Sequence, residues 1–583
     1  MSNNSGITKT SSAYIRSISL LALMLLAFIL PMEIDAPWIQ IGPLDVTNVE
    51  ICLGIVLLLA LVRWAIDGQP ALRIPRTWQL LGAFFLAALL ISTLAAPVYR
   101  ENSLLATLRT LSGIALTLAT IIIVRSKRDL AYVAAALAGG ALVASIIGLA
   151  EIAQGDEIAW LSYFREAPTV AGGILRLSGT FDYSNQAAMF IEATLPLLAA
   201  LVVLAWRRKR TGLTIGLFLG AMILVQTALF SYSRSAIALV VLFSLMAIFG
   251  SIWIRNRRSF DGANVLIFLG LGALLIVVVN VLTDPAWRLR LTSEGDIAWY
   301  QIEMQAPAIL NLEANQEELV TITVKNEGVL SWTSSGISPI YLSARWVHPE
   351  SENQFAKQPR WALARTIDPG ETETMDVLLR APAVAGEFTL IWDLVQENVT
   401  WFGAKTGNET STEVSVSGDG SLSEAEQGLV ESGELVEEWQ IPAPIPGRSV
   451  LWRAALDLWQ ERPILGIGLD NFRLRYGEEL GHELYDQSIH TNNWYIEMVV
   501  SLGLLGALPF LIWLGVLVID MIRRIRTGGI WTVAIAVALI AYLLHGLLDY
   551  FLLFNPTGLL FWMLVGMWTA LNYQMEGEEV VCA

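Results

Sequence analysis

Cysteine is nearly absent. The two in 583 residues, Cys52 inside an apolar run and Cys582 near the end of the chain, exclude a disulfide framework. Charge is scarce too: Asp, Glu, Lys and Arg make up 15% of the chain, against roughly a quarter in soluble globular proteins. Histidine occurs four times, no Cys/His cluster has metal-ligand spacing, and Asp-x-Asp is missing, so no metal site is expected. Positive charge disappears between Thr406 and Gly447, where Asp419, Glu424, Glu426, Glu431, Glu434, Glu437 and Glu438 accumulate. With a formal net charge of −16, this argues against nucleic acid as a partner.

What is present is apolar. Hydrophobic residues make up 55% of the chain and the mean hydropathy is +0.56. Apolar runs fall near residues 17–32, 49–66, 77–98, 104–124, 129–153, 186–206, 212–231, 235–254, 262–284, 494–520, 531–548 and 556–573. Most are long enough to cross a bilayer core of ~30 Å. The first lacks a small-residue cleavage site and is followed by further spans, so it reads as a retained helix.

The connections alternate in charge. Lys9 and Arg16, Arg63/Arg73/Arg76, Arg125/Lys127/Arg128, Arg207/Arg208/Lys209/Arg210, Arg255/Arg257/Arg258 and Arg523/Arg524/Arg526 all fall on one side. By the positive-inside rule that side is cytoplasmic, and the single charges Arg100 and Arg234 opposite are too few to reverse it. The expected fold is mainly α: a polytopic membrane protein of about twelve transmembrane helices with both termini cytoplasmic.

The large excursions at 154–185 and 285–493 then lie outside. From about Ile297 to Val416 the hydrophobic period becomes two, as in ELVTITVKN, PIYLSARWV, ETMDVLLRA and EFTLIWDLV, with Asn-Glu-Gly, Ser-Ser-Gly and Asp-Pro-Gly turns between. That pattern predicts an inserted extracytoplasmic β-sandwich of immunoglobulin-like type, with Trp346, Trp361, Trp392 and Trp401 supplying core volume. The expected division is 1–284 with helices one to nine, 285–417 with the sandwich, 418–446 as an acidic linker, 447–493 as a catalytic-loop segment, and 494–583 with helices ten to twelve and a cytoplasmic tail.

Several polar residues fall at the outer ends of these helices. RLSGTFDYSNQ places Arg176, Asp182, Asn185 and Gln186 at the start of the sixth, where capping by Ser184 or Asn185 is the alternative account. Arg234 sits in the tight SYSRS turn; boundary arginines are costly and usually paired or functional, or else they snorkel to lipid phosphates. Arg448 precedes an amphipathic helix bearing Trp452 and Trp459, and Asp470, Arg473 and Arg475 could form surface ion pairs. Of the histidines, His348 lies in the sandwich, His482 in a loop and His545 within the eleventh helix; His490 alone is at an outer interface, near Tyr485, Asn492 and Asn493. Arginine forks match phosphate oxygens, while a histidine can take a proton from a hydroxyl nucleophile. Without metal ligands, arginine would have to neutralise a diphosphate leaving group.

RLSGTFDYSNQAA, SYSRSA, GRSVLW…PILGIGLDNF and HTNNWYIEMVVSLGLLG, in that order, resemble the O-antigen ligase and polymerase (WaaL/Wzy-type) family of membrane glycosyltransferases. The resemblance covers about residues 170–510 and includes the glycines Gly503 and Gly506 that follow His490. It implies metal-independent transfer of a glycan from an undecaprenyl-diphosphate carrier to a hydroxyl on a glycan, lipid or protein acceptor. The reaction would take place at the outer face of the cytoplasmic membrane, with membrane lipids and no cofactor. Carried over by motif, Arg234 and Arg448 hold the diphosphate, and His490 is the general base or positions the acceptor hydroxyl; Arg176, Asn185 and Asn493 are supporting contacts. The sandwich departs from the family's shorter, helical loop, and Thr491 stands where the family places Ser or Asn after the histidine. The alternatives are a twelve-helix secondary transporter or lipid-linked sugar flippase, for which Glu192 and His545 speak, and a scaffold that displays the sandwich.

Overall fold

A backbone surrounded by hydrocarbon must satisfy its own hydrogen bonds, and long apolar runs therefore become helices. The computed structural model describes residues 4–41, 44–155, 157–171, 174–257, 262–292, 297–336, 338–347, 359–383, 385–397, 399–418, 446–482 and 485–575. Nearly all of the expected linker at 418–446, together with His348 and Cys582, lies outside them.

Each of the apolar runs is helical: α1 (Asn4–Ile29), α2 (Asn48–Ile66), α3 (Arg76–Leu94), α4 (Arg100–Ile123), α5 (Lys127–Gln154), α6 (Ser184–Arg207), α7 (Thr211–Phe230), α8 (Arg234–Arg257), α9 (Ala263–Thr283), then α12 (Trp494–Ile525), α13 (Ile530–His545) and α14 (Asn555–Thr569), after a short α10 (Pro285–Thr292) and α11 (Arg448–Glu461). Among the described residues, ten of these helices are long and apolar enough to cross a membrane. The last two have 16 and 15 residues, or ~24 and ~22 Å, short of a ~30 Å core. Every residue of α14 from Pro556 to Thr569 is buried, so protein rather than lipid sets its length. It packs on α4, while α13 packs on α6.

Between α10 and α11 the chain turns to strands: β5 (Ile302–Gln305), β6 (Ile309–Glu313), β7 (Glu317–Asn326), β8 (Ile340–Val347), β9 (Trp361–Ala362), β10 (Thr372–Arg380), β11 (Gly386–Gln396), β12 (Thr400–Trp401) and β13 (Thr410–Ser417). Two small hairpins precede them, β1 (Ile39–Ile41) with β2 (Leu44–Val46), and β3 (Val170–Ala171) with β4 (Ile174–Leu175). A three-stranded sheet (β10-β7-β5) and a six-stranded one (β6-β13-β11-β8-β9, with β12 on β11) share one core, and all neighbouring strands are antiparallel except β6 and β13. Trp346 and Trp392 fill that core as expected, but Trp361 and Trp401 are half-buried; Trp299, Trp332 and Phe402 take the volume instead. Alternation along a strand tells which face a residue occupies, not how deep the opposing sheet covers it.

A third, smaller core lies between α11, the loop that follows it and the first turns of α12. In α11, Leu451, Ala454, Ala455 and Leu458 form one helical stripe, and it packs with Ile467, Phe472, Tyr476 and Val500. Val500 belongs to α12, which is broken at Gly503 (φ 58°, ψ −169°), a conformation open to glycine and little else. The PILGIG segment docks in that break. Ile467 and Gly468 donate to the Val500 and Ser501 carbonyls at 3.1 and 2.9 Å, and Leu504 and Leu505 donate to Pro463 and Ile464 at 2.9 and 3.0 Å. A Cβ on Gly503 would strike the Ile464 carbonyl, and one on Gly466 (φ +71°) would strike Ser501.

Gly503→Ala is therefore expected to cost roughly 3 kcal/mol or more through combined strain and overpacking. Gly515→Ala, where a Cβ meets open space, should change stability by no more than about 1 kcal/mol. Thermal unfolding of the two variants in detergent checks this; equal melting temperatures would contradict it.

Candidate functional site

The HTNN turn is built by the start of α12. The Asn493 side chain accepts from the Ile496 N–H at 3.0 Å and donates from Nδ2 to the Leu547 carbonyl at 2.9 Å. Thr491 N–H donates to the Glu497 carboxylate at 3.0 Å, and Trp452 of α11 donates to the Thr491 carbonyl at 2.9 Å. Asn492 sits at φ +51°. Asn493 thus ties the histidine turn to the segment at 546–554 that links α13 to α14.

His490 is almost covered, with 11% of its side chain exposed. Its Nε2 lies 2.9 Å from Oδ1 of Asp470, and its ring packs on Tyr550 and Phe554 with centroids 5.1 and 5.9 Å away. Asp470 accepts also from Arg473 Nε at 2.9 Å, and Arg473 reaches Asn102 Oδ1 at 2.8 Å. Burial would raise the Asp470 pKa, but the His490 hydrogen bond, the His490 charge and Arg473 together hold it below the usual carboxylate value. Burial likewise would lower the imidazole, but Asp470 overrides it and holds the His490 pKa above the ordinary 6.5. An ionised carboxylate only accepts, so Nε2 carries the proton and the neutral ring keeps its lone pair on Nδ1. No described residue bonds to Nδ1.

The PILGIGLDNF loop sets this pair. Asp470 is at φ +66°, and Asn471 behind it donates to the Val98 and Ile467 carbonyls, both at 3.0 Å. Ser103 donates to the Leu469 carbonyl at 3.1 Å, and Asn102 to the Asp470 carbonyl at 3.1 Å. The corner between α3 and α4 therefore clamps the loop that carries the carboxylate.

Arg176 and Asn185 meet. The Arg176 guanidinium donates to Asn185 Oδ1 and to the Ser231 carbonyl, each at 2.9 Å, and Asn185 Nδ2 donates to Asp549 Oδ2 at 2.9 Å. Neither Ser184 nor Asn185 caps α6, so capping does not account for Asn185. Burial lowers the Arg176 pKa to about 9. Asp549 neighbours Tyr550, which packs on His490, so the 546–554 segment touches both the Arg176/Asn185 pair and the histidine.

Arg234 is exposed at the start of α8 and donates from Nε to the Arg290 carbonyl at 2.7 Å. Arg290 of α10 donates back to the Tyr232 carbonyl at 3.3 Å, and its charge reaches Arg176. Three guanidinium groups thus gather around the SYSRS turn. Arg448 is exposed at the start of α11, and its charge reaches His545. Arg475 forms an ion pair, with Glu461 at 2.9 Å. Glu192 and His545 bond to each other at 2.8 Å inside the bundle, both about 1% exposed. Among the described residues no group of three His, Cys, Asp or Glu stands in a metal-holding arrangement.

Asp470, Asp549 and Arg290 are the participants that sequence reasoning missed in these roles. Asp549 carried a signal, as an acid in the otherwise apolar HGLLDYFLLF stretch.

Residues 442–511 match the family model described as O-antigen ligase. No curated protein matches the chain. The match spans Arg448, Asp470, His490 and Asn493 and bears out the resemblance; Arg176, Asn185 and Arg234 lie outside it. With its apolar helices, the chain is a multi-pass membrane protein in which residues 442–511 match the O-antigen ligase family model.

Asp470→Asn removes the charge that opposes burial, so the His490 pKa should fall below its value in the parent protein and toward or below 6.5. Histidine-labelled NMR titration measures it; an unchanged value would mean that Asp470 does not set the imidazole.

Proposed function

We propose that this protein transfers a glycan from an undecaprenyl-diphosphate carrier to a hydroxyl acceptor at the outer face of the cytoplasmic membrane, in cell-surface polysaccharide or glycoconjugate assembly. The observation that carries the proposal is the His490–Asp470 pair within the segment that matches the O-antigen ligase family. Asp470 holds the Nε2 proton, and Nδ1 of His490 takes the proton of the acceptor hydroxyl. That oxygen attacks the anomeric carbon while the bond from this carbon to the diphosphate oxygen breaks, and undecaprenyl diphosphate leaves. Charge grows on the diphosphate as the bond opens, and arginines stabilise it there without reorganising.

Arg234 and Arg448 hold the diphosphate in this reading. The arginines at the SYSRS turn support the first assignment, because like charges drawn together are stabilised by an anion between them. Arg176, Asn185 and Asn493 are supporting contacts: the first two brace that turn against Asp549, and Asn493 braces the histidine turn. The chain crosses the membrane about twelve times with both termini cytoplasmic, and the β-region is an extracytoplasmic insertion of immunoglobulin-like type spanning 285–417. The acceptor is a glycan, lipid or protein bearing a hydroxyl. Ligase and polymerase are told apart by the carrier-linked glycan that accumulates on deletion: finished polymer for a ligase, single repeats for a polymerase.

His490→Ala should lower transfer by roughly 10²–10⁴-fold, the usual worth of a general base, with membrane insertion unchanged. Full transfer by that variant would remove the base. A base acts when unprotonated, so kcat/KM should rise with pH through a midpoint above 6.5, following the raised pKa. Arg234→Ala should weaken binding of the carrier-linked donor by about tenfold or more, near the value of one charge-assisted contact. Unchanged donor affinity would exclude Arg234 from the diphosphate site.

A further inference from the structure

A cavity of about 460 Å³ opens between the β-region and the segment around β3 and β4, well away from the His490–Asp470 pair in sequence. Trp299, Tyr300, Trp332 and Phe402 form its apolar wall. Ser331, Thr333, Ser335, Ser338 and Gln396 supply hydroxyl, carbonyl and amide groups, and Gln396 Oε1 accepts from Tyr300 at 3.0 Å. Among the described residues that line it, none is charged. Trp299 and Trp332 in addition bury indole N–H groups for which no described residue provides an acceptor.

This lining decides the ligand class. The aromatic side chains are almost wholly buried and form only the back wall of the cleft, so what meets a ligand is chiefly neutral donors and acceptors, which suit the hydroxyls of a sugar. A phosphate or an acidic peptide would require arginine or lysine in the wall, and a lipid tail would leave the polar groups unpaired. The volume falls within the range of small-molecule sites.

Position adds a second argument. Leu175 lines the cavity, and the next residue, Arg176, bonds the SYSRS turn and Asn185. From the opposite wall, the Trp299 ring lies 6.0 Å from the guanidinium of Arg290, which itself bonds that turn. Both walls thus run directly into the arginine cluster.

We propose that this cleft is a glycan-binding subsite that takes an uncharged stretch of oligosaccharide and holds it beside the reaction centre. The inference rests on the glycosyl-transfer reading and deepens it. The sugar could arrive on the carrier or on the acceptor, and the chemistry of the cleft is the same for both.

The test uses full-length protein in nanodiscs, and the neutral oligosaccharide released by mild acid from the carrier lipid of the producing cells. Ser331→Trp and Ser335→Trp each fill the cleft from its exposed rim. Titration should show saturable binding to the parent protein and to His490→Ala, with affinity lowered about tenfold or more by either tryptophan. In steady-state transfer, a KM raised for the carrier-linked donor assigns the cleft to the donor glycan; one raised for the acceptor assigns it to the acceptor chain. Absence of saturable binding, or binding and both KM values unaltered by both tryptophans, would overturn the proposal. Full transfer by His490→Ala would instead sink the catalytic reading while leaving sugar binding in place.

Discussion

Two backbones touch where α12 is broken, and the geometry of the candidate site depends on that contact. Gly466 and Gly503 face each other so closely that neither tolerates a Cβ. The hydrogen bonds that flank them give the interrupted helix the partners its own turn no longer provides. In a bilayer such groups cannot turn to water, so the loop and the break need one another. Once the loop is seated, Asp470 follows at a fixed distance, and His490 lies in the turn that leads into α12, ahead of the break. The glycines therefore serve the histidine without approaching it.

A second constraint is electrostatic. Arg176 is drawn from water and kept by two acceptors, Asn185 and the Ser231 carbonyl, while Asn185 passes the link to Asp549. The segment at 546–554 receives that link and also the hydrogen bonds of Asn493 and Trp494, so one short connection braces both the histidine turn and the SYSRS turn. Polar networks of this kind hold firmly only when every member is satisfied. Here the members come from α6, α12, the α13–α14 connection and the turn before α8, which explains why elements far apart in sequence share one end of the bundle.

Helix positions were legible because hydrocarbon demands a long unbroken apolar signal, and each of the runs from 17–32 to 556–573 is helical. The β-region was legible from its change to period two. Less visible was anything that depends on contact across the chain. Gly503 and Gly506 stood out only as motif glycines, and the helix break at Gly503 is a product of the docked loop. Asp470 and Arg473 read equally well as a surface ion pair; they do pair, but with Asp470 buried, and that Asp470 also holds His490 required the fold. Trp299 and Trp332 outrank Trp361 and Trp401 in the core because depth is set by the facing sheet. Asn185 showed why a polar residue at a helix start need not be a cap.

The central claim is that residues dispersed over some three hundred positions serve one diphosphate and one attacking hydroxyl. A cryo-EM structure of the full-length protein with undecaprenyl diphosphate bound tests it most directly. The account predicts the two phosphates within about 4 Å of the Arg234 and Arg448 guanidinium groups, with the terminal phosphate turned toward His490. A diphosphate seated elsewhere, touching neither arginine, would contradict it.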